Sequence, residues 1–150
     1  MNVYVDADGC PVKNEIYRAS EKYGAVVFVV CNRYMNVPSD PRIRLVVVEA
    51  GPDIADDWIA ERAEAGDLVV TSDIPLADRC LKRGARVLDV RGREFTPDSI
   101  GGQMATRSLM EQLRMMGEMG GGPPPVEKKD RSKFLEKFHQ VMQALARATG

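Results

Sequence analysis

An α/β fold on a mostly parallel sheet of about five strands is predicted by three observations. Short apolar runs alternate with stretches whose apolar residues recur at helical spacing. Gly, Pro or Asp punctuates nearly every boundary. Two of the apolar runs end in aspartates, as at the carboxyl edge of an open α/β sheet, where ligands bind. Helices are expected on both faces of the sheet, with a helical extension at the C-terminus.

The elements follow in order. Residues 2–7 read as the first strand. Pro11 opens a helix to about Tyr23, with Val12, Ile16, Ala19 and Tyr23 on one side and Gly24 as its stop. Ala25–Cys31 is a continuous apolar run, the signature of a strand covered on both faces. Asn32–Pro41 is a polar loop, and Ile43–Glu49 a third strand. Asp53–Ala65 is a helix with Ile54, Ala55, Trp58, Ile59 and Ala63 facing inward. Asp67–Ser72 is strand four, Pro75–Arg83 a short helix and Ala85–Val90 strand five. Residues 101–116 read as helix, with five methionines in and just after them that suit core packing. Three segments result: an α/β domain over 1–116, a Gly/Pro-rich linker over 117–131, and an amphipathic helix over 132–150. That last helix either docks on the body or is exchanged with a second copy, giving a homo-oligomer.

Composition narrows the function classes. The chain has 150 residues, 44% hydrophobic and 29% charged, which suits one soluble domain with a real core. No apolar stretch approaches the roughly 20 residues of a membrane span, and no leader pattern is present, so the expected location is the cytoplasm. Three cysteines without a CxxC fit reduced thiols, Cys10 included, and the single histidine, His139, makes a Cys/His zinc site improbable. Residues 1–100 carry 13 Lys and Arg against 17 Asp and Glu, whereas residues 101–150 carry 8 against 5. Arg79, Lys82, Arg83, Arg86, Arg91 and Arg93 crowd one stretch and could form a basic rim for phosphate.

The chemistry-bearing residues are acids. Asp6 and Asp8 follow strand one and share a face if strand geometry persists. Asp8 also suits a turn, but Asp6 ends the expected central strand, where an unpaired carboxylate is costly. Asp53, Asp56 and Asp57 lie on one face at a helix start. Asp53 is placed to cap that helix and Asp56 to complete a capping box, which leaves Asp57 as the ligand candidate of the three. Asp73 ends strand four after Thr71 and Ser72, whose hydroxyls suit a metal-bound water or a phosphate oxygen. Converging carboxylates call for a hard cation, Mg²⁺ or Mn²⁺, and so for metal-dependent chemistry on a phosphate.

VDADGCPVK, NRYMNVP, GPDIADDWI, VVTSDIPLA and FTPDSIGG, with the GGGPPP and KDRSKF segments, resemble the bacterial YaiI/YqxD family of PIN-like proteins along nearly the whole chain. The resemblance implies a PIN-like three-layer α/β/α fold and a metal-dependent nuclease, RNA being the favoured nucleic acid. It places the catalytic and metal-binding acids at Asp6, Asp57 and Asp73, with Asp8, Asp53 and Asp56 as further ligands and Asp78 as a fourth acid. Ser72, Arg33, Arg79, Lys82 and Arg107 are the expected substrate contacts. Two rivals stand beside it. One is a nucleic-acid-binding or interaction module without catalysis. The other is a phosphatase of the haloacid dehalogenase type, suggested by VYVDADG but with its later motifs out of order.

Overall fold

The computed structural model describes residues 1–115 and 125–149, and the side chains of 1–106 and 125–148. Six strands form one sheet: β1 (Asn2–Asp6), β2 (Val26–Cys31), β3 (Ile43–Val47), β4 (Leu68–Val70), β5 (Arg86–Leu88) and β6 (Glu94–Phe95). Their order is β3-β2-β1-β4-β5-β6. The first five are mutually parallel, and β6 returns antiparallel to β5. The mostly parallel sheet is as the sequence predicts. The sixth strand is new, because two residues are too few to show alternation.

Five helices complete the chain: α1 (Lys13–Glu21), α2 (Ile54–Arg62), α3 (Ile74–Lys82), α4 (Pro97–Met115) and α5 (Lys128–Thr149). None is long and apolar enough to cross a membrane among the described residues. They divide into two layers by the pleat of the strands, whose successive side chains point to opposite faces. Val3, Val5, Val27, Val29, Leu68, Val70 and Leu88 meet Ile16 of α1 and Phe134, Phe138 and Met142 of α5. Tyr4, Val69 and Val87 meet Ile59 of α2, Leu76 and Cys80 of α3, and Ile100 of α4. The result is three layers, α/β/α.

The terminal helix docks on the body. Its Phe134, Phe138, Val141 and Met142 are fully buried, so its apolar face is used within the chain. Arg131 reaches Glu15 at 3.1 Å, and His139 Nδ1 meets the Tyr23 hydroxyl at 2.7 Å. Both pairs ascend together in sequence, so α5 lies parallel to α1. The helix begins at Lys128 rather than at Ser132. Asp130 accounts for the earlier start, because its Oδ2 accepts the Glu127 backbone N–H at 2.9 Å, half of a capping box with Asp in place of Glu. Residues 117–124 of the expected linker lie outside the described residues.

Chain order fixes where a ligand would sit. From β1 the chain runs outward through β2 to β3. It then returns to the other side of β1 with β4, and continues outward through β5. The strand order therefore reverses between β1 and β4, and a crevice opens there at the carboxyl edge.

Candidate functional site

Asp6 closes β1 and Thr71 follows β4, so the two face each other across the reversal. The Thr71 hydroxyl donates to Asp6 Oδ2 at 2.8 Å, and Thr71 Oγ1 accepts the Asp73 backbone N–H at 3.0 Å. Thr71 is buried at 1% exposure, so this relay is shielded from water. Asp73 caps α3, its Oδ1 accepting the Leu76 N–H at 3.0 Å. One carboxylate oxygen on Asp6 and one on Asp73 are thus engaged in these bonds, while the other is left for a ligand.

On α2, Asp56 is the acid whose carboxyl feels the charges of Asp73 and Asp6. Burial, and next the charges of Asp73, Asp6 and Asp53, push its carboxyl up to about 6, against the pull of Arg79. Burial likewise raises Asp6, opposed by the Thr71 hydroxyl and reinforced by Asp73 and Asp8. Mutual elevation of this kind marks like charges sharing one region. Asp57 takes a different place: Arg79 Nη1 donates to its Oδ1 at 2.7 Å, an ion pair joining α2 to α3. The rotation of α2 thus turns Asp56 toward Asp6 and Asp73.

Asp53 lies at the start of α2 but its side chain makes no capping hydrogen bond. Its φ is +65°, and it is the one residue other than glycine in the left-handed region among those described. Asp tolerates that region better than most residues, and backbone strain concentrates at functional sites. Asp8 is exposed, and its Oδ2 accepts the Asn32 N–H at 2.8 Å, tying the loop after β1 to the loop after β2. Asp78 pairs with Lys82 at 2.9 Å on the outer part of α3. Lys82 stands at the far end of that nine-residue helix, roughly 12 Å from its start along the axis. Arg79 borders the acids, Ser72 is exposed beside them, and Arg33 is exposed on the loop after β2. The side chain of Arg107 lies outside those described.

Two further residues hold the site. The sequence offers the Thr71 hydroxyl to a metal-bound water or a phosphate oxygen, and in the structure it donates to Asp6 instead. Lys13 was missed in the sequence. Lys13 donates to the carbonyls of Cys10 at 3.1 Å and Ala7 at 3.4 Å, clamping the loop that presents Asp6 and Asp8. His139 is not part of the site, since its partner Tyr23 lies just past the far end of α1. Cys10 is buried and its thiol is pushed up to about 11 by that burial, so it is no thiolate nucleophile.

The donor set of half-buried aspartates suits a hard divalent cation. As they stand, no three His, Cys, Asp or Glu side chains among the described residues are grouped closely enough to enclose one. Mg²⁺ commonly binds through one or two carboxylates and keeps several waters, so the arrangement is compatible with such an ion. A second feature lies on the same edge. Arg91, Arg93, Lys133 and Lys137, with Asp130 and Glu136, line a cleft of about 540 Å³ between the turn after β5 and α5.

Comparison with known proteins places the chain in a family. Residues 4–144 match the model described as "Uncharacterized BCR, YaiI/YqxD family". The chain belongs to the YaiI/YqxD family. Among its relatives is a UPF0178 protein of Caulobacter sp. (strain K31), 55% identical over 134 residues that cover 89% of each chain. Another, from Azorhizobium caulinodans, is 51% identical over 148 residues, covering 99% of this chain and 93% of its own. No solved structure matches the chain significantly. The family description names no activity, so the reading of the site rests on its own chemistry.

Proposed function

We propose that this YaiI/YqxD protein is a divalent-metal-dependent phosphodiesterase acting on nucleic acid, with RNA favoured over DNA by the resemblance to PIN-like nucleases. The observation that carries the reading is that Asp6 and Asp73 share Thr71 where strand order reverses, while Asp56, pushed to about 6, feels the charge of both. Carboxylates held together at that cost are a liability in the free protein and an asset once a cation joins them.

Asp6, Asp56 and Asp73 would hold Mg²⁺ or Mn²⁺, with Asp53 and Asp8 at its margin. The ion would supply an activated water and a positive charge against the phosphate. The chain's own residues do the rest. Thr71 fixes the orientation of Asp6 through its 2.8 Å hydrogen bond. The N-terminal ends of α2 and α3 both open onto the crevice, and their dipoles favour an anion there. Arg79, held by Asp57, places a guanidinium beside the acids for a flanking phosphate. Arg33 and Ser72 extend that contact surface. Contacts of this type bind backbone and carry no base sequence.

The cleft beside α5 favours a second reading, a nucleic-acid-binding module without catalysis, because four cations line it against two acids. A labelled oligoribonucleotide with Mn²⁺ separates the two. Wild type should cleave it, and Asp6→Asn and Asp56→Asn should each lose about 100-fold or more in rate while still binding. Binding without cleavage by wild type would leave the module reading standing. Cleavage that survives both substitutions would remove these acids from any reaction.

A further inference from the structure

Among the described residues two large apolar side chains are strongly exposed, and Tyr34 is the more so, at 76%. Its exposure follows from the local chain. Residues 34–38 carry no regular structure after β2, and their burial alternates, exposed at 34, 36 and 38 and half-buried at 35 and 37. Met35 and Val37 turn inward and pack against the core shared with α1 and α5, which leaves Tyr34 and Asn36 outward. The segment is anchored next to the acids, since the Asn32 N–H donates to Asp8 Oδ2 at 2.8 Å. Asn32 and Tyr34 are two residues apart, about 7 Å at full extension, and Asp8 and Asp6 are separated likewise. The ring therefore stands within a few nucleotides of the acidic centre, on the same sheet edge, beside the exposed guanidinium of Arg33.

We propose that Tyr34 is a stacking platform for an unpaired base of a nucleic-acid strand whose backbone passes Arg33 toward Asp6. This inference rests on the nucleic-acid reading above and names the residue that would select single strands. A duplex keeps its bases stacked on one another, whereas a loose strand offers a π-face to an exposed ring. A protein partner is the weaker choice, because Asn32, Arg33, Asn36, Pro38 and Ser39 are all exposed and form no apolar patch around the ring.

The test is fluorescence anisotropy in EDTA, where cleavage cannot interfere. The probes are a labelled uridine-rich RNA of about 12 nucleotides and a duplex of equal length. Tyr34→Ala should weaken single-strand binding between about 5-fold and roughly 150-fold, the range that one stacked base supports. Tyr34→Phe should stay near wild type, and duplex binding should not change in either variant. Equal binding by wild type and Tyr34→Ala would overturn the proposal. So would a loss in Tyr34→Phe as large as in Tyr34→Ala, which would point to the hydroxyl instead of the ring. Failure of wild type to bind any single strand would also overturn it and leave the ring to a protein partner. The nuclease reading falls separately: Tyr34-dependent binding without metal-dependent cleavage removes catalysis and keeps the platform. Asp6-dependent cleavage with full binding by Tyr34→Ala does the reverse.

Discussion

Thr71 and Asp56 show at single-residue scale how the site is built and what it costs. Thr71→Val keeps the shape of the side chain and removes the hydroxyl from Asp6. A half-buried carboxylate that loses a donor costs about 1–3 kcal/mol. Urea unfolding of Thr71→Val should show a loss in that range, and the Asp6 carboxyl should rise further. Asp56→Asn should act in the opposite direction. It deletes a charge crowded by Asp73, Asp6 and Asp53. In metal-free protein at pH 8 it should raise stability by on the order of 1 kcal/mol after allowance for solvent screening, or roughly 2–4 °C in Tm. A lower Tm for Asp56→Asn would show that these acids do not repel one another.

At the scale of elements, α5 and the turn between β5 and β6 depend on each other. Gly92 has φ +86°, and a Cβ there would lie 2.8 Å from the backbone of Lys133 and Phe134. Backbone cannot yield as a flexible side chain would. Gly92→Ala should therefore force α5 away and destabilise by about 2 kcal/mol or more, strain at positive φ alone accounting for about 1. Phe138→Ala, emptying a fully buried site on α5, should cost about 3–5 kcal/mol. The same region sets a response to acid. Burial alone would raise the Glu94 carboxyl, but the paired hydrogen bonds and charge of Arg86, at 2.8 and 2.9 Å, and the charge of Lys137 hold it below its ordinary value. A depressed folded-state value stabilises above the unfolded value of 4.5 and is lost as pH falls through the folded one. Arg86 is 37% exposed, so the effect should be about 1 kcal/mol. Stability measured from pH 6 to pH 3 should fall more gently in Glu94→Gln than in wild type.

Across the whole molecule, what could be read in the sequence follows from where the physical constraint acts. The strand-end positions of Asp6 and Asp73 were legible because each follows an apolar run that only a buried strand explains. Asp56 and Asp57 could not be told apart. They differ by one position, about 100° around a helix, and the apolar stripe of Ile54, Ala55, Trp58 and Ile59 is centred about equally far from both. The sequence favoured Asp57, which in the structure pairs with Arg79, while Asp56 feels the charges of Asp73 and Asp6. β6 escaped because Glu94-Phe95 owes its pairing to the turn before it. The docking of α5 depends on long-range pairs such as Arg91–Asp130 and Arg131–Glu15, which no local pattern reveals.

The meeting of these acids around a cation is tested most directly by titrating Mn²⁺ calorimetrically into metal-free wild type and into an Asp6→Asn/Asp73→Asn double variant, each shown to be folded. Binding by wild type that the double variant lacks is the predicted result. Binding by neither, or equal binding by both, would contradict a metal centre at the β1–β4 crevice.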